Sequence, residues 1–167
     1  MRQLTKVEIE RIKLLTEKSV EVTLIEPTGT GLEKSIMDAT GSVRAYLKDK
    51  NIHDYELQNQ GQESKIQVNS YLINPDGLIK SVASLYRPNT KKGDPRIWFK
   101  GLGTYSKAND ILGIISFEND LYVVNVTQLD FESLINGLAN NPLKELVNEI
   151  NSLSREVADE LLILLRE

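Results

Sequence analysis

The chain has 167 residues, 40% of them apolar, with a formal charge of −4 and no cysteine. A chain of this length buries one ordinary core, so a single domain over residues 1–167 is expected. Without cysteine, neither a disulfide framework nor a thiolate zinc site is available. The opening Met1-Arg2-Gln3-Leu4-Thr5 lacks the apolar stretch of a secretion signal, and no apolar run nears the roughly 18 residues of a membrane span, so a soluble, cytoplasmic protein is expected.

Thr5 and Glu8 have the spacing of a capping box, in which each side chain satisfies an orphan backbone donor, and they open a helix running to about Glu17. Val20, Val22 and Leu24 then alternate with Glu21, Thr23 and Ile25 as a strand that Pro27 ends. Thr30 and Glu33 form a second capping box, and Leu32, Ile36, Ala39, Val43 and Leu47 share one helical face. A helix from Gly31 to about Lys50 fits, as do two shorter helices broken at Thr40-Gly41-Ser42.

From His53 the pattern becomes sheet-like. A tight turn at Gln60-Gly61 would pair Gln58 with Glu63, Glu56 with Lys65 and Asp54 with Gln67, all on one face. Asn74-Pro75-Asp76-Gly77 is stronger turn chemistry and joins a strand at about Lys65 to Ile73 with one at about Leu78 to Tyr86. Arg96 to Lys100 is a further short strand. Ile111 to Phe117 and Leu121 to Val126 form a third hairpin whose arms are apolar enough to be central strands. After Gln128 the character is helical again. Phe131, Leu134, Ile135 and Leu138 share a face, and Leu143, Leu146, Ile150, Leu153, Val157, Leu161 and Leu164 form a seam. Residues 142–167 are expected to cover the sheet, to form a homodimer seam, or to join another domain. The fold class is α+β, a mostly antiparallel sheet flanked by helices with a helical C-terminus.

Charge is unevenly spread. Between Leu78 and Lys107 stand Lys80, Arg87, Lys91, Lys92, Arg96, Lys100 and Lys107 against one acid, Asp94, with Tyr86, Trp98, Phe99 and Tyr105 threaded among them. This segment carries 7 − 1 = +6, which leaves −10 for the remainder. Lysine and arginine release counterions from a phosphate backbone and flat rings meet bases, so a nucleic-acid surface is expected; the alternative is a set of solvated lysines. The loop from Arg87 to Arg96 holds two prolines and Gly93, and both arginines offer bidentate forks for phosphate or guanine. Arg87, Lys91, Lys92, Arg96 and Lys100 are the expected DNA contacts.

Thr28-Gly29-Thr30-Gly31 running into Glu33 resembles the opening of the first helix in several type II restriction endonucleases, and Asp54 followed by Glu63-Ser64-Lys65 resembles their PD-(D/E)xK signature. The likeness covers about Pro27 to Lys65, with His53 where the family has proline. It implies magnesium held by Asp54 and Glu63, water polarised by Lys65 and assistance from Glu33. In the tight hairpin Asp54 and Glu63 would stand about 13 Å apart at ~3.3 Å per residue, so the motif needs a longer or slipped turn, or Glu56 in place of Glu63. The expected function is DNA binding in a restriction or defence setting. The alternatives are a magnesium-dependent endonuclease and a protein interaction module assembled through the C-terminal helix.

Overall fold

The computed structural model describes residues 1–17, 20–34, 36–74, 77–90 and 92–129. The expected helices beyond Gln128, the 142–167 seam and Lys91 lie outside the described residues. Within them the chain forms α1 (Lys6–Glu17), β1 (Thr23–Ile25), α2 (Gly29–Lys34), α3 (Gly41–Asp49), β2 (Ile66–Asn74), β3 (Gly77–Tyr86), β4 (Arg96–Phe99), α4 (Leu102–Tyr105), β5 (Leu112–Phe117) and β6 (Asp120–Asn125). It is an α+β fold: a six-stranded mixed sheet of order β1-β5-β6-β2-β3-β4, curled as a half-barrel. Neighbouring strands are antiparallel except β2 and β6, which run parallel. Among the described residues no helix is long and apolar enough to cross a membrane.

Local chemistry explains most elements. The capping box before α1 is formed, with the Thr5 amide donating to Glu8 Oε1 at 2.8 Å and the Glu8 amide donating to Thr5 Oγ1 at 3.2 Å. Asn74 pairs with Gly77 at the end of the β2–β3 ladder, so the two strands reverse where the sequence places its turn residues. Phe117 pairs with Asp120 around Glu118 and Asn119, both with positive φ, which matches the right-handed twist of the arms. β5 and β6 are buried on both faces, as their continuous apolar runs require of inner strands.

The sheet separates two apolar clusters. Inside the curl, Leu72, Ala83, Leu85, Ile97, Phe99, Leu112, Ile114, Leu121 and Val123 meet Val43 and Leu47 of α3. On the outer face, Ile73, Ile115, Phe117, Tyr122 and Val124 meet Ile12 and Leu15 of α1. Burial on this scale supplies the driving force, at about 25 cal/mol per Å² of apolar surface removed from water.

Three expectations are corrected. The single helix from Gly31 to Lys50 is instead two helices separated by an extended stretch. The alternative of two shorter helices holds, but not its break at Thr40-Gly41-Ser42: α2 ends at Lys34, Ile36 to Thr40 are non-helical, and Gly41 and Ser42 open α3. The capping residue of α2 is Thr28 rather than Thr30, since Thr28 Oγ1 accepts from the Gly31 amide at 2.8 Å. The Gln60-Gly61 hairpin does not form. Residues Tyr55–Leu57 and Gln62–Ser64 are single 3-10 turns, and the ladder starts only at Ile66. Local hydrogen bonds win here over strand extension. Asp54 Oδ1 accepts from the Glu56 amide at 3.0 Å, and the Gln58 side-chain amide donates to the carbonyls of Ser64 at 2.8 Å and Leu85 at 2.9 Å. Gly61 takes φ +114°, open to glycine and strained for other residues.

Candidate nucleic-acid interface

After β1 the chain crosses from one edge of the sheet to the other. Residues Met37 to Ala39 lie along the free edge of β4, with the Ile97 amide donating to Met37 O and the Ala39 amide to Pro95 O, both at 2.9 Å. Asp38 and Arg96 form an isolated antiparallel bridge within this pairing. The crossing segment includes α2 and leaves a groove of about 640 Å³ between β1 and the start of β4. Its lining includes Thr28, Thr30, Lys34, Thr40, Ser42 and Arg96, the acids Glu26 and Asp38, and the apolar Leu24, Ile25 and Met37.

Two features of this groove suit an anion. Lys34 and Arg96 bring positive charge, set against the carboxylates of Glu26 and Asp38 in the same lining, and four hydroxyls supply donors without sequence preference. The N-terminus of α3 also opens here: the Thr40 side chain does not cap it, and Thr40 Oγ1 instead lies 3.3 Å from Ser42 Oγ. Orphan amides at such an end favour negative charge. Gly31 is required by close approach, because a Cβ there would stand 2.3 Å from the Ile36 carbonyl oxygen.

The expected DNA contacts divide by role. Arg87 holds the basic loop together, donating through Nε to Gly93 O at 2.9 Å and through NH1 to Gln58 O at 3.2 Å and Tyr55 O at 3.4 Å. Arg96 lines the groove with its guanidinium on the exposed Asp38 carboxylate. Lys92 and Lys100 are exposed. Tyr55 anchors the start of β4 by donating its hydroxyl to Arg96 O at 2.8 Å, and burial pushes that phenol well above its ordinary range. Trp98 and Phe99 take opposite faces, with Phe99 in the core.

The restriction-type residues gather only in part. Asp54, Glu63 and Lys65 line one open depression with Lys48 and His53, whereas Glu33 on α2 and Glu56 are not among its lining residues. Asp54 caps a turn and lies 3.6 Å from Lys48 Nζ; Glu56, 85% exposed, lies 3.8 Å from the same ammonium. The Lys65 ammonium sits 5.0 Å from the centre of the Tyr86 ring. Among the described residues no three acidic or histidine side chains converge to hold a metal ion. Magnesium takes oxygen ligands at about 2.1 Å, and here the Asp54 carboxylate is already engaged by the Glu56 amide and the Lys48 ammonium.

Lys34, Thr40 and Asp38 were not legible as site residues. Each joins Arg96 only through the crossing from β1 to the β4 edge, a contact that leaves no local pattern in the sequence. Comparison of the chain with family models, curated proteins and solved structures finds no match.

Proposed function

We propose that this protein binds DNA through the groove beside β4 and the adjoining basic loop, as the DNA-binding domain of a restriction or defence-type protein. The observation that carries the reading is the meeting of Lys34 and Arg96 in one groove with the hydroxyls of Thr28, Thr30, Thr40 and Ser42. Cations and neutral donors in one channel, next to a loop that carries further lysines, are what a phosphate backbone needs. Asp38 acts as an internal stand-in for phosphate: it is 71% exposed, so its hold on Arg96 is weakened by solvent and it is free to swing away. The restriction or defence setting rests on the resemblance of Thr28 to Glu33 and of Asp54 to Lys65.

Fluorescence anisotropy with a labelled duplex at low ionic strength tests the reading. Lys34→Ala and Arg96→Ala each weaken binding roughly three- to tenfold, whereas Lys13→Ala, on the exposed side of α1, leaves it unchanged. Equal affinity in all three variants removes the groove from the account.

A second reading, a magnesium-dependent endonuclease, is favoured by the single fact that Asp54, Glu63 and Lys65 share a depression. It requires the Asp54 carboxylate to leave the Glu56 amide and Lys48 before it takes a metal.

A further inference from the structure

The outer face of the sheet changes character from one side to the other. Over β5, β6 and the ends of β2 and β3 it is apolar, with α1 residues packed against it. Over the rest of β2, β3 and β4 it is polar and cationic. Because Ala83, Leu85, Ile97 and Phe99 point into the inner core, the alternate residues Lys80, Ser84, Arg96 and Trp98 start from the outer face, and the half-buried Trp98 ring also packs against the inner cluster at this edge of the sheet.

The ladder fixes their neighbours. Trp98 pairs with Ser84, and Ser84 with Gln67, making one row across three strands. Lys100 adjoins the next row, its amide donating to Val82 O at 3.0 Å, and Val82 pairs with Asn69. Lys80, in the row after that, pairs with Tyr71. Lys80, Lys100, Gln67 and Asn69 are exposed and Trp98 is half-buried, and no acidic residue occupies any of these outward positions.

We infer that this outer face of β2, β3 and β4 is a second nucleic-acid surface, one that takes a single strand. Two lysines with no acid among them complement a phosphate backbone, and the amides of Gln67 and Asn69 offer donors and acceptors to base edges. Trp98 decides between strand types. A duplex keeps its base faces stacked inside, whereas an unpaired base presents a face that an indole can stack upon. The surface meets the groove at Arg96, whereas Lys34 belongs to the groove and Lys80 and Lys100 to this face.

Trp98 is the only tryptophan in the chain, so its fluorescence reports occupancy of this face directly. An oligothymidylate titrated at low ionic strength is expected to quench that emission. The double variant Lys80→Glu with Lys100→Glu, at exposed positions, is expected to bind it at least about tenfold more weakly while its circular dichroism stays unchanged. Lys34→Ala keeps the quench while losing duplex affinity, which separates this face from the groove. The inference is overturned if the oligonucleotide fails to bind, if it binds without changing the emission, if the double variant binds equally well, or if Lys34→Ala abolishes the quench.

Discussion

Arg87 donates through Nε to the carbonyl oxygen of Gly93 at 2.9 Å, so a cation that reads as a DNA contact in the sequence also braces the loop. Its other donors reach carbonyls of the 55–58 turn, clamping that turn and the basic loop into one unit. Arg87→Ala leaves these carbonyls without their charged donor and is expected to destabilise the fold by about 1–3 kcal/mol in chemical denaturation. Lysine cannot serve three acceptors from one planar fork, so Arg87→Lys should recover little of it. An unchanged denaturation midpoint in both variants would remove the clamp from the account.

Glu8 is nearly fully buried and joined to Arg2 by two hydrogen bonds, at 2.7 and 2.6 Å, with Thr127 donating to the same carboxylate. The Arg2 guanidinium lowers the Glu8 pKa from 4.5 to about 2. A depressed carboxylate contributes stability that is present above the unfolded pKa and is lost as pH falls through the folded one. Stability is therefore expected to drop between about pH 5 and pH 2 by on the order of 2–3 kcal/mol. Glu8→Gln should be less stable than wild type at pH 7 and should lack this limb; parallel profiles from pH 7 to pH 2 would disprove it.

Asp38 and Arg96 provide a test with opposite signs. If Asp38 stands in for phosphate, Asp38→Ala frees Arg96 and raises duplex affinity about two- to fivefold, the range an exposed ion pair allows. Arg96→Ala lowers it, and the double variant resembles Arg96→Ala. A fall in affinity for Asp38→Ala would show that the pair is needed to shape the groove.

The parts of this fold that were legible in the sequence are those set by local chemistry. The Thr5–Glu8 cap, the Asn74–Gly77 connection and the central position of β5 and β6 follow from short-range spacing and apolar runs. The segment from His53 to Lys65 misled for the same reason inverted: its alternation suits a strand, but Asp54 and Gln58 hold its backbone through their own side chains. The groove was invisible because Lys34 and Arg96, which line it together, are brought near one another by the crossing of the chain to the far edge of the sheet.

The endonuclease reading has a separate check. Asp54→Ala is expected to abolish any magnesium-dependent cleavage of supercoiled plasmid while leaving duplex affinity within about twofold, since Asp54 lies in the other depression. Cleavage that survives the substitution would exclude Asp54 as a ligand.

The most direct measurement is the affinity for duplex DNA as a function of salt. Contacts from Lys34, Arg96 and Lys92 predict a plot of log K against log salt with a slope of about −3, reduced by about one in Lys34→Ala. A protein that ignores duplex DNA at low ionic strength, or a slope indifferent to Lys34, would contradict the account.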